Sequence, residues 1–242
     1  MRICLLGYQR HMHEIKKLEK YSSELFTIED WLMIASLPSD NTGLAWGYSD
    51  RVISSILKES RIDNSNYDLC MCFIDAPIEG NFFSREIKDY DDKTVVCSFF
   101  GVEEILKSEN VDFFNYIHGS IIYRIVLIAA FQSIDEHGHT HYDTRNCLFD
   151  MCGRKSDLTL KCSAPQLCPE CISKIGSQAV DADFFPCLKK EFASFKKPLF
   201  HRILNFVKRR PIVSLLITIG SSVIFNLLSS LLYDWIKSFF LP

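Results

Sequence analysis

Short, almost continuous runs of apolar residues mark the first hundred positions of the chain. They lie at Arg2–Tyr8, Asp68–Ile74 and Thr94–Phe99, with a less regular run at Leu25–Met33. Runs of this length without polar alternation predict strands that are buried on both faces, as in a sheet covered by helices.

Helical patterns separate these runs. Ser49 and Asp50 precede the segment RVISSILKES, Val102–Ser108 follows a glycine, and a longer apolar stretch covers Val111–Ser133. Its fully apolar part after Arg124 has only about seven residues, which predicts a core helix rather than a membrane span. Alternating strands and helices predict an α/β sandwich.

The C-terminal region has a different pattern. Pro211–Tyr233 is a stretch of 23 residues without a charge, which as a helix measures roughly 34 Å and can cross a bilayer core of about 30 Å. Basic residues precede this stretch and the N-terminus has no signal-peptide pattern, so we expect a single span with residues 1–210 in the cytoplasm, at the inner membrane if the source is bacterial.

Small and polar residues recur every four positions along the predicted span. Thr218, Ser222 and Asn226 therefore share one helix face, which predicts self-association of the span and a homo-oligomer. The alternative is that the hydroxyl groups simply bond to their own helix backbone.

The net charge of −3 conceals three regions. Residues 1–186 carry 18 basic and 28 acidic residues, a net charge of −10, whereas residues 187–210 carry eight basic residues and one acidic residue, a net charge of +7. The acidic body disfavours nucleic acid as a partner, and the basic segment predicts an amphipathic juxtamembrane helix on an anionic bilayer. The alternative is a linker helix packed on the soluble domain.

Ten cysteines in a cytosolic chain argue against disulfides. Cys4, Cys70, Cys72 and Cys97 fall in predicted strands and are expected in the core. The spacing of four others, with two short pairs about fifteen residues apart, predicts a closed structural zinc site: Cys147, Cys152, Cys168 and Cys171.

The first of these pairs is the looser one, so Cys162 or His141 is an alternative to Cys147, and reduced structural thiols are the alternative to zinc. A second possible metal set precedes the cysteines in the segment HGHTHYD. Its members are His137, His139, His141 and Asp143.

Ligands of open α/β sheets bind at the carboxyl ends of strands. Asp75 follows one predicted strand and Arg85 lies on the loop beyond it, so both are candidate ligand-binding residues. Asp75 could instead only cap a turn before Pro77.

The segment from His141 through CLFDMCGRKSDL to CPEC resembles a motif of uncharacterised bacterial proteins. The order of domains resembles that of membrane-anchored effectors of bacterial antiphage systems, in which a cytosolic sensor domain controls transmembrane helices. This order is an α/β domain at 1–134, a His/Cys-rich zinc segment at 135–186, the basic helix at 187–210 and the span at 211–233.

These features favour a membrane-anchored sensor or effector. It would bind a small-molecule or protein trigger and respond by oligomerising or by perturbing the bilayer. A membrane-tethered metal-dependent hydrolase and a tail-anchored adaptor are the alternatives. No catalytic motif decides whether the chain is an enzyme.

Overall fold

The computed structural model describes residues 1–7, 12–34, 47–135, 138–197, 203, 206–207 and 210–240, with side chains up to residue 233. The chain forms two units, Met1–Lys196 and Lys197–Pro242. His137 and most of residues 198–209 lie outside the described residues, so the predictions made for them stay predictions.

The first unit contains five strands and seven helices among its described residues. The strands are β1 (Arg2–Gly7), β2 (Thr27–Met33), β3 (Leu69–Ile74), β4 (Ser84–Glu86) and β5 (Thr94–Ser98). The helices are α1 (Met12–Glu19), α2 (Asp50–Glu59), α3 (Val102–Ser108), α4 (Phe113–Phe131), α5 (Leu158–Ser163), α6 (Pro169–Gly176) and α7 (Phe184–Ser194).

The strands form one sheet in the order β2-β1-β3-β5-β4. Neighbouring strands are parallel except for the edge strand β4, which runs antiparallel to β5 with Arg85 opposite Val96. Strands β1, β2 and β3 follow one another through α1 and α2, as the alternating pattern predicted, whereas the connection from β3 to β5 contains β4 instead of an α-helix. The sheet and the helices packed on it confirm the α/β class.

Both faces of the sheet are buried because side chains of a strand alternate between them. Leu5, Met71 and Phe73 face the larger core, which α1, α3 and α4 cover. Cys4, Cys70 and Cys72 face a smaller core under α2. These three cysteines and Cys97 are free and buried, which confirms the core placement expected for them.

The apolar helix α4 is the central support of the larger core. Asp112 caps it by accepting a hydrogen bond from the backbone N of Phe114 at 3.0 Å. Most of its length is buried, which confirms the prediction of a core helix. Arg124, also buried, donates from Nη2 to Ser84 Oγ at 2.9 Å and from Nη1 to the carbonyl O of Ile134 at 2.5 Å. This arginine thereby ties the edge strand β4 to α4.

Helix α7 packs on the rest of the first unit, which we call the soluble unit because the unburied membrane-length helix lies in the second unit. Most of α7 belongs to the basic segment that begins at residue 187. Leu188 and Glu191 are buried, Lys190 forms an ion pair with Glu24 at 2.6 Å, and Lys196 forms one with Asp112 at 2.8 Å. For residues 187–196, the structure therefore matches the alternative of a helix packed on the soluble domain.

The second unit is described chiefly by one long helix, α8 (Pro211–Phe240). Its stretch Pro211–Tyr233 is long and apolar enough to cross a membrane, and none of it is buried within the structure. The hydroxyl groups of Thr218 and Ser222 donate to backbone carbonyls one turn earlier in the same helix, at 3.0 and 2.9 Å.

Glu191, a buried acidic residue, attaches α7 to the rest of the first unit. Glu191 accepts hydrogen bonds from Tyr21 at 2.9 Å and Ser23 at 2.6 Å, and its Oε2 lies 2.9 Å from His118 Nε2. Burial opposes ionisation of Glu191, but the hydrogen bonds from His118, Ser23 and Tyr21 outweigh it and hold its pKa below the ordinary value.

We expect Glu191→Gln to lower the free energy of unfolding at pH 7 by about 1–3 kcal/mol, because a buried charge-assisted network loses its acceptor. Because the pKa of Glu191 is lower in the folded than in the unfolded protein, its ionised form stabilises the fold. This stabilisation is complete above the pKa of the unfolded state, near 4.5, and is lost as the pH falls through the pKa of the folded state. The difference between wild type and variant should therefore shrink below about pH 4.5. Urea denaturation across this range measures it, with exposed Glu109→Gln as the control. A difference that grows towards low pH would contradict the assignment.

Candidate functional site

Four side chains with metal-binding atoms converge in the His/Cys-rich segment. The donor atoms of His141, Cys147, Cys168 and Cys171 all lie within 4.8 Å of one another. His141 Nε2 is 3.1 Å from Cys171 Sγ and 3.3 Å from Cys168 Sγ. Ligands of one tetrahedral zinc ion lie about 3.5–3.8 Å apart, given Zn–S bonds of about 2.3 Å and Zn–N bonds of about 2.0–2.1 Å.

Two separate stretches of chain supply these donors. His141 bridges to the turn after Cys147: its backbone N donates to Phe149 O at 2.8 Å, and its O accepts from Met151 N at 2.9 Å. Cys168 is the N-cap of α6, and Cys171 lies in its first turn, where Pro169 begins the helix. This explains why the CPEC pair presents both sulfurs to one point.

The turn at Cys147 depends on a buried carboxylate that the sequence analysis did not single out. Asp150 Oδ2 accepts hydrogen bonds from the backbone N of Cys147 at 2.8 Å and of Arg145 at 2.9 Å. Asp150 N in turn donates to Cys147 O at 3.0 Å. Asp favours turns because its side chain accepts hydrogen bonds from nearby backbone N–H groups, and this preference is the signal in the sequence.

The surroundings of Cys147 favour its thiolate form. A hydrogen bond from Cys171 lowers the pKa of Cys147 to about 5, assisted by backbone N–H groups of Phe149 and Cys168, although burial opposes it. The same hydrogen bond raises the pKa of Cys171. One thiolate thus shares a proton with its neighbour, and a metal cation replaces such protons when it binds.

Three buried cysteine sulfurs and the imidazole nitrogen of half-buried His141 are a set of donors that suits zinc. Four protein ligands would complete the tetrahedral coordination of a bound zinc ion and leave no position for water or substrate. The site is therefore a structural zinc site, as the sequence predicted for the cofactor.

The structure brings together three of the four cysteines in the predicted set, and His141 joins them instead of Cys152. Cys152 has a left-handed φ of 55°, and its Sγ lies 3.6 Å from the carbonyl O of Asp150. Cys162 is also outside the group; it is buried in α5, where burial raises its pKa to about 12.

The alternative histidine set is not assembled among its described members. His141 belongs to the cysteine group, whereas His139 stacks on the ring of Phe131 with centroids 3.9 Å apart. Asp143 is exposed and pairs with Arg145 at 2.9 Å.

A groove runs between the edge strand β4 and the segment that leads into the zinc site. It has a volume of about 580 Å³ and opens beside a smaller, mainly apolar pocket of about 80 Å³ between α4 and α5. The two cavities share the lining residues Phe82, Ser84, Thr140 and Met151.

The groove has both charged and apolar walls. Arg85, Glu86 and Asp135 contribute charges, and Tyr142, 85% exposed, contributes an aromatic ring. Arg85, a predicted ligand-binding residue, therefore lines the groove, and its Nε forms an ion pair with Asp50 at 3.1 Å. Asp75, the other predicted residue, follows β3 and is not among the residues that line it.

No protein-family model and no curated protein matches the chain. Among solved structures, the fold is similar to that of archaemetzincin from Archaeoglobus fulgidus, complexed with malonate. The match has 18% sequence identity and a TM-score of 0.45, and it covers 72% of this chain and 99% of that chain. At this level the similarity does not bear on the chemistry of the site.

The zinc assignment makes a specific prediction for single variants. Cys168→Ser and His141→Ala should each lose most of the zinc, because each removes a ligand from a four-ligand site. Cys152→Ser and His139→Ala are the matched controls and should retain about one zinc ion per chain. Elemental analysis of the purified full chain measures this ratio. Loss of zinc from Cys152→Ser together with retention in His141→Ala would show that the sulfur set predicted from spacing is the correct one.

Proposed function

We propose that this protein is a membrane-anchored binding module whose ligand is an extended peptide held in the groove beside β4. The zinc ion stabilises the wall of the groove, and α8 anchors the module in the bilayer. In this proposal the soluble unit lies in the cytoplasm and acts as the sensor of an effector that the ligand switches.

The position of β4 at the edge of the sheet carries this proposal. β4 pairs with β5 on one side, and no other strand among the described residues pairs with its second side. All three residues of β4, namely Ser84, Arg85 and Glu86, line the groove. An exposed strand edge is a template for a further strand, and adjoining pockets select the side chains of the peptide that binds there.

The apolar surface around the groove also favours a peptide. Phe82 and Met151 are 44% and 40% exposed, and both line the groove and the smaller pocket. An apolar side chain of a bound peptide can enter this pocket while the backbone follows β4. The acidic and basic groups of the groove then select charge along the peptide.

The closed zinc site supports binding rather than catalysis. Its four ligands come from the protein, so the ion has no position at which to activate water. A metal-dependent hydrolase is the second candidate function, because a zinc site lies next to the groove. The two candidates differ in what happens to a bound peptide, since only the hydrolase cleaves it.

The effector part of the proposal rests on α8. Thr218 and Ser222 bond to their own backbone, so Asn226 is the residue on that face with an amide to offer another helix. Self-association through Asn226 would convert ligand binding into a change in the membrane, as in the antiphage effectors whose domain order the chain resembles.

Peptide binding can be tested with the zinc-loaded full chain in nanodiscs. Decapeptides selected from a random display library should bind, and Phe82→Ala should weaken binding at least tenfold because it removes a shared wall of groove and pocket. Phe100→Ala, equally exposed but outside the groove, is the control for fluorescence titration. Failure to select any peptide, or equal weakening by both variants, would contradict the proposal. Cleavage of the selected peptide would favour the hydrolase.

Anchoring and association have their own test. Deletion of residues 211–242 should move the chain from the membrane to the soluble fraction, because it removes the apolar helix. Asn226→Leu should reduce chemically crosslinked oligomers in membranes severalfold, whereas Ile224→Ala, about 200° away around the helix, should not. Unchanged crosslinking in Asn226→Leu would contradict self-association through the Asn226 amide.

A further inference from the structure

A single buried amide connects the apolar pocket with the last residues of the soluble unit. Asn115 is 1% exposed, and its Nδ2 donates to the carbonyl O of Cys162 and to that of Lys196, both at 2.8 Å. Its Oδ1 accepts from the backbone N of Lys196 at 3.2 Å. Both amide hydrogens are therefore committed, one to each side.

One side of this connection is a wall of the pocket. Cys162 lies in the last turn of α5, whose carbonyl groups have no partner within the helix. Leu158, Lys161 and Cys162 of α5 all line the pocket. The hydrogen bond from Asn115 thus holds the end of this six-residue helix against α4.

The other side is the segment 184–196, which we call the strap; it comprises α7, Phe195 and Lys196. Phe195 is buried and stacks on His118, with ring centroids 4.8 Å apart. It lies against Gly119, where an added Cβ would come within 3.4 Å of its ring. Gly119 also lines the pocket, so the strap and the pocket meet the same turn of α4.

We propose that filling the apolar pocket is coupled through Asn115 to the strap, so that a bound ligand loosens the last residues of the soluble unit. The strap leads directly into the chain segment that precedes α8. This inference rests on the proposed function, because it takes the pocket as the site of a peptide side chain, and it adds a route by which binding is reported to the anchor.

The size of the pocket gives the physical reason. At about 80 Å³ it is smaller than the cavity of about 150 Å³ that holds a benzene ring in an engineered protein. A large apolar side chain therefore has to displace a wall, and α5 is the shorter of the two helices. A shift of about 1 Å takes a 2.8 Å hydrogen bond beyond the range of a hydrogen bond. Because an unpaired buried carbonyl is costly, Asn115 keeps its bond to Cys162, follows the displaced helix and leaves Lys196.

A double-mutant cycle tests this coupling without a ligand, by hydrogen–deuterium exchange on the zinc-loaded full chain in nanodiscs. Ser120→Leu fills the pocket, because Ser120 lines it. The hydroxyl of Ser120 donates to Tyr116 O of the same helix, so its replacement breaks no bond to the strap. We expect this variant to speed exchange in the strap at least tenfold. In an Asn115→Ala background, where exchange is already fast, Ser120→Leu should add less than twofold.

Ala129→Leu is the matched control, since it adds the same bulk to α4 away from the pocket and should leave the strap unchanged. Retained zinc and unchanged exchange in β3 establish that each variant is folded. If Asn115→Ala does not fold, Asn115→Asp removes the donor hydrogens with little change in size. Unchanged strap exchange in Ser120→Leu, or equal effects in both backgrounds, would overturn the coupling. Failure of the peptide selection would contradict the proposal that a peptide side chain occupies the pocket. It would not contradict the coupling between the pocket and the strap, which this cycle measures separately.

Discussion

The convergence of three cysteine sulfurs and one imidazole on a single buried point is the constraint on which the functional face of the protein depends. Their donor atoms lie within 4.8 Å of one another, and a bound zinc ion would turn this grouping of potentially repelling thiolates into a stable crosslink. Such a crosslink would fix the turn from His141 to Asp150 against the start of α6. It would thereby hold Thr140 and Met151, which line both cavities, in the wall of the groove.

The opposite wall of the groove is held by strand pairing and by a buried hydrogen bond instead of a metal site. The short strand β4 has only one neighbour, and the buried guanidinium of Arg124 bonds to Ser84 from the central helix α4. The same helix carries Asn115 and His118, which hold the strap. Helix α4 is thus the common support of the edge strand, the pocket and the end of the soluble unit, and the coupling proposed above acts through it.

The sequence predicts the elements that are buried on both faces, because burial leaves continuous apolar runs such as those of β1, β3 and β5. It does not reveal β4, a three-residue strand with the polar sequence SRE. The sequence indicates a zinc site through CPEC, because a cysteine at the start of a helix and another in its first turn can bind the same ion. It assigns Cys152 to the site and offers His141 only in place of Cys147, because spacing does not show that Asp150 closes the turn or that His141 bridges back to it. The groove arises from segments distant in sequence and has no local signal.

The zinc coordination shell is the most direct test of the account, because the proposed binding module requires a closed sulfur-rich site, whereas a metal-dependent hydrolase requires an open one. Zinc K-edge X-ray absorption on the full chain measures that shell. The account predicts three sulfur ligands at about 2.3 Å and one nitrogen at about 2.0–2.1 Å, with no water. A shell dominated by nitrogen and oxygen, with one sulfur or none, would contradict it.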